Sequence, residues 1–256
     1  INGYKYKKNI VLNVGNSGTL GRLISGLLIH SKEQIKLVGD KSLSKRDFLR
    51  IIKPLKKFGA KFISNKGKLP IIIKGTQNPN PISYVESKGS AQCKSAVMLA
   101  SLNTKGTTII KSKKSRNHTE LLFKYLNLPI KIIQNNLYDI IKINGKKTIK
   151  SFNYKIPADI SSSAFFIALT ALSNKSKLTI KDVNINPSRV GVVKILKKMG
   201  VKIIYRNIKK YKGEKIADIH VTSTKFLKPI NCPPSLNSAA IDEFLIIFLI
   251  AAKANG

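Results

Sequence analysis

The feature that most constrains the fold of this 256-residue chain is a recurring polar turn that precedes an apolar helix. Glycine or serine begins a nearly uncharged helical stretch near Gly18, Ser90, Ser162 and Ser238, at spacings of 72, 72 and 76 residues. Between these points the chain repeats an apolar strand, a lysine-rich amphipathic helix and further strands. The spacing therefore predicts one βαβαββ-like unit that is used several times, and an α/β (α+β) fold class.

The amphipathic helices of the repeat are predicted from their apolar spacing and from the residues that end them. Apolar residues recur at helical intervals from Phe48 to Phe58, with lysines between them. Three helices are expected to stop at Gly59, Asn127 and Gly200, because Gly or Asn readily adopts the left-handed conformation that follows a helix. The uncharged helices are apolar on nearly every side, so we expect them to lie inside a ring of other elements.

Two domains are predicted, because three consecutive units would make one domain and the chain holds more than three. The first domain is placed at residues 1–155, with two repeat units and its N-terminal part missing. The second, which is incomplete, is placed at residues 156–256, with the boundary near Ser151 to Pro157. The longest apolar helices, such as Phe244 to Ala252, are about half the length needed to cross a bilayer and are interpreted as core helices.

Charge and cysteine content limit the possible functions. The chain carries 47 Lys and Arg against 12 Asp and Glu, a formal charge of +35 that would ordinarily indicate a polyanionic partner. The lysines are spread along the whole chain and Trp is absent, so a basic nucleic-acid-binding module is kept only as an alternative. Cys93 and Cys232 lie far apart without a CxxC pair, which indicates neither a disulfide framework nor a zinc site and fits a reducing cytoplasm.

The turn Gly15–Arg22, with the sequence GNSGTLGR, joins a strand from Ile10 to Val14 to an apolar helix. Backbone N–H groups at a helix N-terminus are unpaired within the helix, and the helix dipole favours negative charge there. A glycine turn can also serve only to change the direction of the chain. The turn is therefore a candidate anion site, and the recurrence of similar turns along the chain strengthens this interpretation.

Seven motifs, in correct order and spacing, carry a resemblance to a known family. They are GNSGT with Arg22, GDKSLSKR, SAQCKSAVMLASL, SRNHTE, PADISSSAFF, NPSRVGVVKILKKMG and IDEFLIIFLIAA. In these motifs the chain resembles the enolpyruvyl-shikimate-phosphate synthases, the enolpyruvyl transferases of the shikimate pathway. The resemblance implies an inside-out α/β architecture of repeated βαβαββ units in two domains.

The same resemblance implies a reaction and its partners. Shikimate 3-phosphate would accept the enolpyruvyl group of phosphoenolpyruvate at its 5-hydroxyl, and phosphate would be released. The full-length protein would be a cytoplasmic monomer that uses these two small molecules, with no metal or organic cofactor and no nucleic-acid or membrane partner. Gly18, with no bulkier residue in its place, implies sensitivity to glyphosate, which occupies the phosphoenolpyruvate position in this family.

The resemblance also implies which residues form the site. Phosphoenolpyruvate would be bound by Gly18, Arg46 and Gln92, and shikimate 3-phosphate by Ser90, Ala91, Gln92, Ser115, Arg116 and Asp242. Asn16, Thr19 and Arg22 would shape the site, and Asp242 would be the catalytic general base for the attacking hydroxyl. Structural alternatives stay open: helix N-capping for Ser90 and Asn16, solvated helix starts for Arg46 and Arg116, and helix-dipole compensation for Asp242.

The chain departs from the family pattern in several places. Asp47 stands where the family usually has Pro, which adds a negative charge beside a phosphoenolpyruvate ligand, and Ala158 replaces a common Gly. The family's early Lys-Ser pair and its later Glu, Arg and Lys ligands have no counterpart here, so the chain is interpreted as an internal fragment with little or no turnover of its own. A UDP-N-acetylglucosamine enolpyruvyl transferase is the second alternative, disfavoured because Leu37 to Asp47 contains no cysteine.

Overall fold

Two units of structure form along the chain in the computed structural model, which describes residues 10–145 and 149–255. The first unit extends to Ser115 and resumes over Leu126–Lys150. The second unit comprises Arg116–Tyr125 and the chain from Ser151 onward. The domain limits inferred from the sequence, 1–155 and 156–256, stay a prediction.

A six-element repeat begins the first unit. It contains β1 (Ile10–Asn13), α1 (Gly18–Leu28), β2 (Gln34–Val38), α2 (Leu49–Lys57), β3 (Lys61–Asn65) and β4 (Lys68–Lys74). Its strands form a sheet in the order β1-β2-β4-β3, in which β1 and β2 are parallel and the other neighbours are antiparallel. The parallel pair is connected through α1, because parallel neighbours require a crossover.

The second repeat has the same order of elements as the first, and its strands form a sheet of the same topology. It contains β5 (Ser83–Glu86), α3 (Ala91–Ser101), β6 (Thr107–Lys113), α4 (His118–Tyr125), β7 (Ile130–Gln134) and β8 (Tyr138–Asn144). The strand order is β5-β6-β8-β7, again with the first two strands parallel. All of these elements belong to the first unit except α4, which groups with the second.

A third copy of the repeat forms most of the second unit. It contains α5 (Ile160–Leu172), β9 (Lys177–Asn184), α6 (Gly191–Lys198), β10 (Lys202–Tyr211) and β11 (Glu214–Thr222), and it is followed by α7 (Asn237–Ala240) and α8 (Phe244–Ala251). The antiparallel strands lie in the order β9-β11-β10, and Ala158 pairs in parallel with Val183 where the first strand would lie. The βαβαββ repeat predicted from the spacing is thus confirmed.

The predicted ends of the amphipathic helices are also confirmed. Gly59, Asn127 and Gly200 have backbone φ angles of +105°, +52° and +95°, all in the left-handed region. Each follows a helix at the residue where the chain turns toward the next strand. These residues position the strands after α2, α4 and α6.

The core of the first unit is built on close contact between α1 and α3. A side chain at Gly26 would overlap the carbonyl oxygen of Ala96, so only glycine allows the two backbones to approach this closely. Most of α3 is buried, including Val97 and Met98, as expected for a helix that is apolar on nearly every side. The contact brings the starts of α1 and α3, with their polar turns, into one region of this unit.

The second unit has its own core, in which α5, α6 and α8 pack on one face of the β9-β11-β10 sheet. Ile167 of α5, Leu196 of α6, Ile250 of α8 and Ile219 of β11 are fully buried there. The expectation of a surrounding ring is wrong for the outer faces of α5 and α8. Phe165 is 66% exposed and Leu245 is 82% exposed, because no described element lies over these faces.

Two helix starts differ from the sequence prediction. α5 begins at Ile160 rather than near Ser162, because the Asp159 carboxylate accepts the Ser162 N–H at 2.9 Å and caps the helix earlier. The helix expected from Ser238 is divided into α7 and α8 by a single 3-10 turn, Ile241–Glu243. This turn carries two adjacent carboxylates, those of Asp242 and Glu243.

One stretch, Pro234–Ala251, is long and apolar enough to cross a membrane by length and composition. It consists of two short helices separated by the Ile241–Glu243 turn, and Ile246 and Ile250 pack in the core of the second unit. A broken helix with two carboxylates and a core-facing side is typical of a core element.

Candidate active site

A glycine turn at the start of α1 brings two guanidinium groups together in the first unit. Ser17 caps the helix by accepting the Leu20 N–H at 3.1 Å, so the cap is Ser17 and not the exposed Asn16. A methyl group added at Gly18 would lie 2.7 Å from Arg22 Nη1 and 3.6 Å from Arg46 Nη1. Both guanidinium groups therefore lie beside the Gly18 backbone, at the end of the helix that carries positive partial charge.

Arg22 is fixed by several contacts that also orient Gln92. Arg22 Nη1 donates to Gln92 Oε1 at 3.0 Å, and Gln92 Nε2 donates to Thr19 Oγ1 at 2.8 Å. Arg22 Nη2 donates to the Asp47 carbonyl oxygen at 3.1 Å, and its guanidinium stacks on the Phe48 ring at 4.9 Å. These contacts link the start of α1 to the start of α3.

The region around Gly18 has an excess of positive charge. Burial, together with the charges of Arg46 and Arg50, lowers the pKa of Arg22 below its ordinary value. Arg50 is neutralised by Glu86 at 3.0 Å, whereas the guanidinium of Arg46 has no ion-pair or hydrogen-bond partner within residues 10–145 and 149–255. A bound anion would stabilise such a group of cations.

Asp47, which departs from the family pattern, lies next to this cationic group. Its side chain accepts the Leu49 N–H at 2.6 Å, and so it satisfies one of the first amides of α2. The Asp47 carboxylate still raises the pKa of Arg22, against the larger effect of burial. The substitution thus partly offsets the positive charge beside Gly18.

The start of α3 presents a second polar turn in the same unit. Ser90 caps α3 by accepting the Cys93 N–H at 3.3 Å, so its structural role as an N-cap is observed. Ala91 is the first residue of the helix, and Gln92 follows it. The hydroxyl oxygen of Ser115, at the end of the first unit, is buried without a hydrogen-bond partner among the described residues.

In the second unit, Asp242 lies between two arginines. Arg116 Nη2 donates to Asp242 Oδ2, and Arg189 Nη1 lies 3.4 Å from the same oxygen. Asp242 occupies the 3-10 turn before α8, where its side chain is 44% exposed. Neither α8 nor this turn has a side-chain cap, so Asp242 does not act as a helix cap. Its carboxylate is instead held by the two guanidinium groups.

Arg189 is the site residue that sequence reasoning missed, although its motif NPSRV was part of the resemblance. Its side chain is only 13% exposed, and its Nη2 donates to Ser161 Oγ and to Asp159 Oδ1, the latter at 3.3 Å. Ser161 Oγ in turn donates to Glu243 Oε1. Burial raises the pKa of Glu243, against the opposing effects of Ser161 and Arg189. We call Arg116, Asp159, Ser161, Arg189, Asp242 and Glu243 the arginine–carboxylate cluster.

The segment that carries Arg116 is anchored to β11 within the second unit. His118 Nδ1 lies 2.6 Å from Glu214 Oε1, and Asn186 Nδ2 donates both to Glu214 Oε2 at 3.1 Å and to Asn117 Oδ1 at 2.9 Å. Burial alone would raise the pKa of Glu214, but the hydrogen bonds and charge of His118, with the amides, lower it. His118 therefore helps to orient the turn that carries Arg116.

The cysteines and the other residue types that can bind metals form no additional site among the described residues. Within residues 10–145 and 149–255, no group of three or more His, Cys, Asp or Glu residues is placed to hold a metal ion. Cys93 is buried and unbridged, and burial raises the pKa of its thiol, as is typical of an unreactive structural cysteine. Cys232 is exposed and also unbridged.

The described contacts thus assemble two groups of site residues. The first unit brings together Gly18, Thr19, Arg22, Arg46 and Gln92, with Ser90 and Ala91 at the start of the adjoining helix. The second unit brings Arg116 to Asp242 and adds Arg189. Which ligands these residues bind stays a prediction.

Comparison with known proteins first defines the class of protein. The crystal structure of the enolpyruvyl transferase NikO from Streptomyces tendae superposes with a TM-score of 0.65 over 91% of this chain, at 14% identity, and it shares the fold. The structure of EPSP synthase from Acinetobacter baumannii gives a TM-score of 0.84 at 38% identity, over 96% of this chain and 55% of its own. The fold is therefore that of the enolpyruvyl transferases.

The family model for EPSP synthase (3-phosphoshikimate 1-carboxyvinyltransferase) matches residues 1–256, and the chain belongs to this family. The 3-phosphoshikimate 1-carboxyvinyltransferase of Ruthia magnifica is 44% identical over 257 residues, and that of Legionella pneumophila strain Philadelphia 1 is 42% identical over 255. These matches cover 100% and 99% of this chain. The chain spans 58% of the length of each relative.

Proposed function

We propose that the protein to which this chain belongs transfers the enolpyruvyl group of phosphoenolpyruvate to the 5-hydroxyl of shikimate 3-phosphate and releases phosphate. Family membership and the names of the relatives support this reaction over the sugar-nucleotide and nucleic-acid alternatives. The observation that carries the proposal is the pair of guanidinium groups, Arg22 and Arg46, beside the Gly18 backbone. Such a pair suits a small multidentate anion.

Phosphoenolpyruvate is the ligand that we assign to this pair. Arg46 has a guanidinium fork available for the phosphate or the carboxylate, and it lies beside the Gly18 backbone at the start of α1. Gln92 is held by Arg22 and Thr19, so its amide would meet the ligand in one orientation. Thr19 and Arg22 thus shape the site by positioning Gln92, and exposed Asn16 borders the same turn.

Shikimate 3-phosphate is assigned to Ser90, Ala91, Gln92, Ser115 and Arg116. The Ser90 oxygen already accepts the Cys93 N–H, which leaves its O–H free to donate to a phosphate. The buried Ser115 hydroxyl, without a partner in the described part of the chain, would gain one from the ligand. Arg116 would supply a charge-assisted bond to an anionic group of the substrate.

Asp242 is assigned as the general base of the reaction. Its carboxylate would take the proton of the 5-hydroxyl as that oxygen forms a bond to C2 of phosphoenolpyruvate, while C3 gains a proton. Loss of phosphate from C2 and of a proton from C3 would then restore the double bond in the product. The cations near the reacting groups would stabilise the negative charges of the tetrahedral adduct.

We further infer that the full-length protein acts as a cytoplasmic monomer without a nucleic-acid or membrane partner. The relatives are named for a reaction of small molecules, which supports this inference. Substrate binding should persist at high salt, whereas binding to DNA through phosphates falls steeply with ionic strength. Binding measurements in a salt series, with light scattering for the mass in solution, test the inference.

Substitution of Arg46 tests the proposed function. In the full-length protein, Arg46→Gln should lower kcat/KM for phosphoenolpyruvate by about 30- to 160-fold, because a charge-assisted hydrogen bond contributes about 2–3 kcal/mol. Lys45→Gln, which removes an exposed charge one residue away, is the matched control and should change kcat/KM by less than about twofold. Equal effects of both variants on steady-state phosphate release would contradict the assignment.

A further inference from the structure

The arginine–carboxylate cluster holds the Asp242 carboxylate by one of its two oxygens. Arg116 and Arg189 both approach Oδ2. In the described part of the chain, Oδ1 has no hydrogen-bond or ion-pair partner, and the side chain is 44% exposed. One oxygen is therefore fixed by guanidinium groups while the other is open to a ligand, as a general base in the proposed function requires.

Arg189 differs from Arg116 in how firmly it is held. Its side chain is 13% exposed, and besides Asp242 it contacts Asp159 and Ser161. Asp159 is itself fixed, because its Oδ2 caps α5 through the Ser162 N–H at 2.9 Å. Arg189 thus connects the start of α5 to the turn that carries Asp242.

Glu243 completes this support from the core side. Its side chain is 2% exposed, it accepts a hydrogen bond from Ser161 Oγ, and it lies 3.8 Å from Arg189 Nη2. Adjacent residues in one 3-10 turn therefore send their carboxylates to the same guanidinium, Asp242 at Nη1 and Glu243 at Nη2. Rotation of the turn would break both contacts.

We propose that Arg189 is a positioning residue for the general base Asp242, held in place by Asp159, Ser161 and Glu243. This inference rests on the proposed function of the chain. Arg189 fixes the orientation of the carboxylate, so that Oδ1 faces the substrate hydroxyl. Arg116 supplies a second cation on the same oxygen but is assigned to the substrate.

The test uses the full-length protein with Arg189→Gln, Arg189→Lys and the exposed control Arg206→Gln from β10 of the same unit. Arg189→Gln should lower kcat by about 100-fold, as expected for a misplaced catalytic group, with KM for shikimate 3-phosphate changed by less than about threefold. Arg189→Lys keeps the charge but loses the planar fork of the guanidinium, so its kcat should be about tenfold higher than that of Arg189→Gln. Arg206→Gln should leave kcat and KM unchanged.

The split between kcat and KM, together with rescue by lysine, separates positioning from a structural role. Ser161→Ala leaves the guanidinium in place but loosens it, so kcat should fall by about three- to tenfold. An unchanged kcat of Arg189→Gln, or equal losses of kcat in Arg189→Gln and Arg189→Lys, would overturn the inference.

A double variant shows whether Arg189 acts through Asp242. In an Asp242→Asn background, Arg189→Gln should cause less than about a twofold further loss of kcat, because the group that it positions is already absent. A full 100-fold further loss of kcat would mean that Arg189 acts independently of Asp242 and would overturn the inference. If the wild-type protein forms product and Arg189→Gln forms it at the wild-type rate, this inference alone fails. A wild-type protein that forms no product removes the proposed function together with it.

Discussion

Gly18 is the single residue at which the smallest change should have a large effect on ligand binding. A Cβ atom there would lie 2.7 Å from Arg22 Nη1, so the guanidinium must move away from Gln92. In the full-length protein, Gly18→Ala should raise KM for phosphoenolpyruvate by about tenfold, the effect of one weakened charge-assisted bond, and should weaken inhibition by glyphosate. Steady-state kinetics with and without glyphosate check this; unchanged values of both would contradict the assignment of Gly18.

Residue types in motifs were sufficient to find most of the candidate site. Gly18 and Arg22 occur in one motif and Gln92 in another, and the structure brings the two motifs together through the Arg22–Gln92 hydrogen bond. Arg189 was missed because an arginine before an amphipathic helix has no sequence signal that separates a solvated helix start from a buried ion pair. Its role depends on contacts with Asp159 and Asp242, which are 30 and 53 residues away.

The helices and strands of the repeat were predicted from spacing alone. This was possible because helix-ending Gly and Asn residues and apolar periodicity depend only on residues nearby in the sequence. The start of α5 and the break between α7 and α8 were not predictable in this way. Asp159 competes with Ser162 as the cap, and the break depends on Glu243 reaching Ser161 in another helix. Long-range polar contacts of this kind override local helix preference.

The contact between α4 and β11 predicts a pH dependence of stability. The pKa of Glu214 is lowered in the folded protein, so its stabilising effect is complete above its ordinary value of 4.5 and is lost as pH falls through the folded pKa. In the full-length protein, Glu214→Gln should lower the free energy of unfolding at neutral pH by about 1–2 kcal/mol. The difference from wild type should shrink as pH falls below 4.5.

Urea unfolding between neutral and acid pH measures this difference. Glu33→Gln is the control and should leave stability unchanged at every pH, because the Glu33 carboxylate makes no hydrogen bond or ion pair with the described residues. A difference between wild type and Glu214→Gln that is constant with pH would contradict the role of the Glu214 charge.

At the scale of the whole molecule, the second unit leaves an apolar surface on α5 and α8. Phe165, Leu169, Leu245 and Leu249 are all more than half exposed, and the relatives extend well beyond the length of this chain. We expect the 256-residue chain on its own to self-associate and to bind an apolar dye such as anilinonaphthalene sulfonate, and the full-length protein to do so weakly. Contiguous exposed apolar surface is the physical reason.

Substitutions on this surface test whether α5 and α8 are responsible for the self-association and the dye binding. Leu245→Lys with Leu249→Lys should reduce both dye fluorescence and the sedimenting mass of the isolated chain, whereas Ile204→Lys, at an exposed position on β10, should change neither. Equal dye binding by the isolated chain and the full-length protein would contradict the view that the remainder of the protein covers α5 and α8.

Phosphorus NMR of the full-length protein with both substrates tests the proposed reaction. The phosphoenolpyruvate signal should be replaced, one for one, by inorganic phosphate as the enolpyruvyl ether of shikimate 3-phosphate forms, and neither substrate should react alone. Asp242→Asn should slow this conversion by at least about 100-fold. Phosphate release from phosphoenolpyruvate without shikimate 3-phosphate, or no conversion of the mixture, would contradict the proposed reaction.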